Sequence, residues 1–371
     1  MTPMDNLISD RVSALDLSGI RKVFDLARDL KNPVNLSIGQ PDFPVPQAVK
    51  DAASGAMVAD QNAYTPTQGR KDLIDALVED SKKRGLRFED LIITSGVSGG
   101  LLLSFSALLN PGDEVVMTDP YFLMYRQLCT YLGAEAKLVN TYPHFKCTAE
   151  VLEPHLTKST KLVVLNFPGN PTGSGLDERE MKELADLLER HPHINVISDE
   201  IYRLFYYDGP FISLSSLMDR VITLDGFSKS HAVTGWRVGW ASGPEEILQQ
   251  MAKLQQFTYV CSPAPAQVGC LKALSLSMED ERLAYQAKRD LICDLLEDHF
   301  ELVRPQGTFY VLPKVPEKYA DAGEFVKAAI DRGLLIIPGN VFSSQDSHFR
   351  ISFAAKDETL EKGAEILRSL V

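Results

Sequence analysis

The sequence predicts an α/β protein: a large domain with a mostly parallel sheet between helices, plus a smaller α+β domain. Three observations carry this prediction. The chain has 371 residues, more than one hydrophobic core usually serves. From about residue 91, short apolar segments alternate with helical ones, the pattern of a parallel sheet covered on both faces. Around Pro305-Gln306-Gly307 the pattern changes to short strands mixed with single helices.

Taken in order, residues 7–30 read as helical and are expected to join the smaller domain. Strands are expected at 91–94, 114–118, 162–166, 194–198 and 221–224, where short apolar runs are bounded by turn residues. Helices are expected between them at 99–109, 122–132 and 178–190, and a further strand at 237–241. Residues 245–300 read as mostly helical, interrupted at Ser262-Pro263-Ala264-Pro265, because proline breaks a helix. A strand at 308–312, a helix at 323–332, strands at 334–337 and 349–353 and a helix at 357–370 complete the smaller domain. The expected division is 1–50 as an N-terminal segment joining the small domain, 51–285 as the large domain and 286–371 as the C-terminal small domain.

Composition narrows the function. Apolar residues make up 44% and charged residues 24%, values of a soluble globular protein. No apolar run reaches the roughly 18 residues of a membrane span. Met1-Thr2-Pro3-Met4-Asp5 lacks the basic and apolar regions of a signal peptide. The five cysteines stand singly, with no CxxC, and read as reduced thiols of a cytoplasmic protein. A net charge of −12 argues against nucleic acid and anionic membranes as partners. A phosphate or carboxylate ligand must then be held by local cations and helix N-termini.

The chemistry-bearing residues fall in six runs. Lys229 lies in Ser228-Lys229-Ser230, just after an apolar strand, with Arg237 closing Thr234-Gly235-Trp236-Arg237. A lone lysine is usually a solvated surface residue, but an amine near cations and partly buried becomes a nucleophile. Asp199, in Asp199-Glu200-Ile201-Tyr202, ends a strand, where a carboxylate serves as a helix cap or as a buried ionic partner. The turn Thr94-Ser95-Gly96-Val97-Ser98-Gly99-Gly100 opens a helix and can be an ordinary corner or a phosphate seat. Phe122 and its neighbours Tyr121 and Tyr125 follow another strand end, where aromatics anchor loops or cover a flat ligand. Phe167-Pro168-Gly169-Asn170-Pro171-Thr172-Gly173 is a turn-rich loop after a third strand. Arg350, in Arg350-Ile351-Ser352-Phe353, offers a planar fork suited to a carboxylate. His191-Pro192-His193 lacks a nearby acid or Cys cluster and reads as a solvent loop, so no metal is expected.

With Ile38-Gly39-Gln40-Pro41-Asp42 and Tyr64-Thr65-Pro66, these runs resemble, in order and over nearly the whole chain, the class I/II aminotransferases of fold type I, the aspartate aminotransferase superfamily. The resemblance implies pyridoxal 5′-phosphate as cofactor, bonded to Lys229. It implies that Asp199 keeps the pyridine nitrogen protonated, that Tyr202 and Asn170 hydrogen-bond the ring 3′-oxygen, and that Phe122 stacks on the ring. Val97, Ser98, Ser228 and Arg237 would hold the phosphate. The family commonly has Ser where Gly226 stands, so one hydroxyl contact is expected to be absent, with Ser228 as a partial substitute. Gly39, Asn170 and Arg350 would hold the substrate α-carboxylate. Tyr64 would reach the phosphate of a neighbouring subunit, making the protein a homodimer with shared active sites.

The function so implied is transfer of the amino group of an L-α-amino acid to a 2-oxo acid by a ping-pong mechanism. A C–S lyase or other elimination enzyme of the same fold is the alternative. A non-enzymatic regulator is a more distant one, because such proteins add an N-terminal DNA-binding domain and the match here begins near residue 35. Ser98 stands where some aspartate-specific relatives place Lys, which disfavours aspartate as donor. Phe122, Tyr121 and Tyr125 favour aromatic or other neutral amino acids.

Overall fold

Runs of Val, Ile and Leu between turn residues form the strands of a seven-stranded sheet, in the order β2-β8-β7-β6-β5-β3-β4. The strands are β2 (Asp90–Thr94), β3 (Glu114–Asp119), β4 (Glu135–Asn140), β5 (Thr160–Asn166), β6 (Asn195–Asp199), β7 (Val221–Gly226) and β8 (Gly239–Gly243). The structure is a computed structural model, which describes residues 7–16, 19, 30 and 32–371. β3, β4, β5, β6 and β7 pair in parallel, and β8 runs antiparallel to both β7 and β2.

Helices cover both faces, so successive strand residues enter different cores. Met117, Leu162, Val164, Ile197 and Ile222 pack with the helices Gly96–Leu108, Leu123–Leu132 and Glu245–Gln256. Val116, Val163, Leu165, Val196 and Val221 face the other way, towards Glu178–Glu189. This is why these strands are apolar throughout rather than alternating. A capping box fixes the start of Glu178–Glu189: Asp177 accepts from the Glu180 N–H at 2.8 Å, and Glu180 accepts from the Asp177 N–H at 2.9 Å. At β2, Leu91 and Ile93 pack on the helices Gln47–Val58, Lys71–Lys83 and Ala264–Ala273.

A second core gathers around Phe325, Phe349, Ile351 and Phe353. It joins a three-stranded antiparallel sheet, β11-β12-β9, to the helices Glu279–Leu296, Ala322–Asp331 and Asp357–Arg368. Here β9 is Tyr310–Val311, β11 is Ile337–Pro338 and β12 is Phe349–Ser352. β1 (Val34–Asn35) pairs in parallel with β10 (Leu334–Leu335), so the N-terminal part of the chain packs with its C-terminal part. Among the described residues, no helix is long and apolar enough to cross a membrane.

Several boundaries differ from the sequence-based expectation. The helix after β2 begins at Gly96 rather than 99, which places Val97 and Ser98 in its first turn. The strand expected at 237–241 begins at Gly239, and Arg237 precedes it in a left-handed conformation with φ +55°. The strand expected at 334–337 divides into β10 and β11, which join different sheets. β4 lies outside the sequence-based expectation; it is an edge strand whose Glu135 and Lys137 are both exposed, so it lacks the continuous apolar run of the inner strands. Of the helix expected over 7–30, Asp10–Ser13 is helical, while residues 17–18 and 20–29 lie outside the described residues.

Behind the sheet's C-terminal edge lies a buried ionic cluster. The Arg203 guanidinium donates to Asp225 on β7 and lies 4.0 Å from Asp80. Arg84 sits 3.7 Å from Glu200, which is fully buried and accepts from Ser198 and Ser213. Asp225→Ala would leave Arg203 buried without its carboxylate, and the expected loss is about 3–5 kcal/mol of unfolding free energy. Urea denaturation checks this. An apolar double replacement, Arg203→Met with Asp225→Leu, should lose clearly less.

Candidate active site

The topology explains where the functional side chains meet. The C-terminal ends of β2, β3, β5, β6 and β7 share one edge of the sheet, and antiparallel β8 brings its N-terminal end to that edge. In an open α/β sheet, this is where a ligand crevice forms. A cavity of about 330 Å³ lies there. It is lined by Gly39, Val97, Ser98, Phe122, Asn170, Asp199, Tyr202, Ser228, Lys229, Arg237 and Arg350, the predicted site residues with one exception. The exception is Tyr64, which is 85% exposed and lines a separate surface depression with Arg70 and Lys71.

Lys229 stands on a single helical turn, Phe227–Ser230, directly after β7. Its Nζ donates to the Gly39 carbonyl at 2.7 Å. Burial, then the positive charges of Arg350 and Arg237, pull its pKa down to about 8. At pH 7 about a tenth is therefore the neutral, nucleophilic amine, roughly a few hundred times more than for an ordinary lysine.

Asp199 ends β6 and is almost wholly buried. Tyr125 donates to its Oδ2 at 2.7 Å and the Ile201 N–H to its Oδ1 at 3.3 Å. Burial pushes its pKa up to about 6, against the opposing effect of the Tyr125 hydrogen bond. Asn166, the polar residue that ends apolar β5, fixes the next loop by donating to the Asp199 carbonyl at 2.8 Å and accepting from the Asn170 N–H at 2.8 Å.

The turn after β2 is built around Arg237. Gly96 has φ +65°, and a Cβ there would fall 2.7 Å from Arg237 Nη2, so only glycine lets the guanidinium lie against this turn. Arg237 donates to the Thr234 carbonyl at 2.9 Å and the Ser95 carbonyl at 3.3 Å. The first-turn N–H groups of Val97 and Ser98 lie beside it, so a helix N-terminus and a guanidinium converge, a setting suited to a phosphate.

On β12, alternation sends Phe349 and Ile351 into the core and Arg350 into the cavity. Arg350 is 2% exposed. Its guanidinium lies between the rings of Tyr310 and Phe342, 4.4 and 4.5 Å from their centroids. It donates to Asn170 Oδ1 at 3.1 Å and to the Ser37 carbonyl at 3.0 Å, and its Nε has no partner among the described residues. A buried cation with an unpaired donor is a receptor for a carboxylate.

Sequence reasoning missed three participants. Asn166 had a local signal, as a polar residue closing an apolar strand. Tyr125 reads from the sequence only as an aromatic neighbour of Phe122, because its bond to Asp199 spans 74 residues. Tyr310 had no local signal; its hydroxyl meets that of Tyr202 at 3.1 Å across 108 residues.

The raised Asp199 pKa gives a stability prediction. Its unperturbed value is 3.8, so the ligand-free fold favours the protonated carboxyl, and that contribution is lost as pH rises through about 6. At pH 8 the ionised group therefore costs on the order of 2–3 kcal/mol. Asp199→Asn is expected to raise the melting temperature of the ligand-free protein at pH 8, with the gain shrinking towards pH 4. A variant that melts lower than wild type at pH 8 would contradict this.

Comparison with known proteins agrees with the geometry. Residues 31–367 match the family described as aminotransferase class I and II. The chain is 35% identical to a probable N-acetyl-LL-diaminopimelate aminotransferase of Bacillus subtilis, covering 99% of this chain and 96% of that protein. It is 33% identical to a probable aspartate aminotransferase of Methanocaldococcus jannaschii, covering 98% of this chain and 100% of that one. The solved structure of Thermus thermophilus aspartate aminotransferase with maleate superposes with a TM-score of 0.93 at 31% identity, over 98% of this chain and 99% of that one. An aromatic aminotransferase from Pyrococcus horikoshii gives 0.88 at 30% identity, over 94% and 100%. The chain belongs to the class I and II aminotransferases of fold type I, and it is an enzyme that transfers amino groups.

Proposed function

We propose that this enzyme carries pyridoxal 5′-phosphate on Lys229 and moves the amino group of an L-α-amino acid to a 2-oxo acid in a ping-pong cycle. The observation that carries the reading is the buried Lys229 amine, lowered in pKa and sharing one cavity with a desolvated carboxylate and two guanidinium groups. The residues present fit the cofactor. The Gly96 turn leaves Arg237 room beside two free N–H groups, and Arg350 keeps an unpaired buried donor. When bound, pyridoxal phosphate supplies an aldehyde for the amine and a ring that withdraws electrons.

Around it each side chain has one task. Lys229 bonds the cofactor and, once displaced by the amino acid, moves a proton from the substrate Cα. Asp199 stays ionised beside a ring cation and keeps that ring protonated. Tyr202 and Asn170 hydrogen-bond the 3′-oxygen, and Phe122 covers one ring face. Val97, Ser98, Ser228 and Arg237 hold the phosphate. Arg350, with Gly39 and Asn170, holds the α-carboxylate. Tyr64 serves the site of a second copy, so the enzyme acts as a homodimer; its exposure in a single chain supports this role. A cytoplasmic setting is supported by five free cysteines, four of them buried.

For the donor side chain, the cavity supports an aromatic or other neutral amino acid. Val97, Leu101 and Phe122 supply apolar wall, and Ser98 supplies no charge. A screen of purified enzyme with aromatic, aliphatic and acidic donors tests this, and acidic donors should be the poorest.

Lys229→Ala is expected to abolish transamination and the borohydride-reducible cofactor linkage while the protein stays folded. Persistence of that linkage in the variant would overturn the assignment. Arg350→Ala and Arg350→Lys should both lower kcat/KM for every donor, because Lys keeps the charge and loses the fork. The loss should reach about 1.5–3 kcal/mol, with cofactor affinity largely kept. Arg237→Ala should show the opposite pattern. Parallel titrations of cofactor and amino acids separate the two arginines. A defect of Arg350→Ala confined to acidic donors would mean that it reads the side chain instead.

A further inference from the structure

Tyr202 and Tyr310 form an isolated pair of phenols. Both are almost wholly buried, 4% and 1% exposed, and both line the cavity. Their hydroxyls meet at 3.1 Å, and neither has another hydrogen-bond partner among the described residues. Each phenol has one proton, so one hydroxyl donates within the pair and the other proton is left to point elsewhere. A buried hydroxyl left without an acceptor is costly, so the direction of the pair matters.

The surroundings set that direction. The Tyr310 hydroxyl is wedged against Gly39: a Cβ on Gly39 would overlap it. The Arg350 guanidinium lies on the face of the Tyr310 ring, 4.4 Å from its centroid. Burial raises the pKa of both phenols and Arg350 opposes this at both; with the guanidinium stacked directly on the Tyr310 ring, the Tyr310 hydroxyl is the better donor.

We propose that Tyr310 is a positioning residue: its hydroxyl donates to Tyr202, which commits the Tyr202 proton to the cofactor's 3′-oxygen. This rests on the cofactor reading above. The one hydrogen-bond partner of the Tyr310 hydroxyl among the described residues is Tyr202, so it would act through Tyr202. A Tyr202 fixed in this way keeps its full donor strength on an oxygen that carries negative charge. That charge is least compensated when the cofactor-linked Lys229 nitrogen is unprotonated, the high-pH form. Weakening the hydrogen bond therefore disfavours the high-pH form and moves the spectral transition to higher pH.

The test is a pH titration of the visible absorption of enzyme loaded with pyridoxal phosphate, in wild type, Tyr310→Phe, Tyr202→Phe and the double variant. Tyr310→Phe keeps the ring stacked on Arg350 and removes only the donor. Its midpoint is expected to rise by roughly half to one pH unit. Tyr202→Phe should rise further, and the double variant should titrate like Tyr202→Phe alone, because Tyr310 then has nothing to direct. A Tyr310→Phe midpoint equal to wild type, or shifts that add in full in the double variant, would overturn the proposal. If Tyr310→Phe does not fold, Gly39→Ala displaces the hydroxyl with the ring in place, and an unshifted midpoint there overturns it equally. A wild-type enzyme that develops no visible band with pyridoxal phosphate would instead remove the cofactor reading, and this proposal with it.

Discussion

A guanidinium almost without water contact ties the cavity together. Arg350 comes from the three-stranded sheet, bonds Asn170 of the loop after β5, and bonds the Ser37 carbonyl near the N-terminus. Three parts of the chain, far apart in sequence, are thus referenced to one planar fork. Burying that charge is expensive, and it is made tolerable by two aromatic faces and two carbonyl-type acceptors. The unpaired Nε leaves the arrangement incomplete within the described residues, with a donor free for an anion. Arg350 also acts at a distance, because its charge is the largest contribution after burial to the depressed Lys229 pKa.

Desolvation works differently on the two groups at the centre of the cavity. For Lys229 it favours the neutral amine, the form that attacks an aldehyde. For Asp199 it favours the protonated acid, the opposite of the form a ring cation requires. The site therefore holds Asp199 in a state that becomes favourable only beside a positive ligand. Tyr125 counters the penalty in part by donating to the carboxylate. Under the proposed function, stability surrendered by the ligand-free fold would be recovered on binding, which is how a strained polar site contributes to affinity.

Much of this was legible in the sequence, and the limits have physical causes. The parallel strands were readable because burial on both faces leaves them apolar throughout, as in β5 and β7. Edge strand β4 was not, because solvent permits Glu135 and Lys137 there. The site residues that follow strand ends were readable because the topology places them by local chain order. Tyr125, Tyr310 and the Ser37 carbonyl were not, since each reaches its partner through tertiary packing that leaves no local pattern. Arg237 was readable as a residue but not as a conformation: its left-handed backbone turns the guanidinium back over the Gly96 turn. Tyr64 was readable as a motif, yet in a single chain it faces solvent.

The run Ser198-Asp199-Glu200-Ile201-Tyr202-Arg203 shows how closely catalysis and support are interleaved. Asp199, Ile201 and Tyr202 face the cavity. Glu200 and Arg203 instead enter the ionic cluster with Arg84 and Asp225, and Ser198 donates to Glu200. This cluster is not neutral scaffolding. The buried charges of Asp225 and Glu200 each push the Asp199 pKa upwards. Arg84 and Arg203 are the cations that hold this repulsion in check, and both are largely shielded from water, where Coulomb interactions are weakly screened. Asp225 lies four residues before Lys229 and its carboxylate accepts from the Gly226 N–H, so the same cluster fixes the strand end that presents the amine. Asp199 and Lys229 are therefore braced by one set of charges on the far side of the sheet edge.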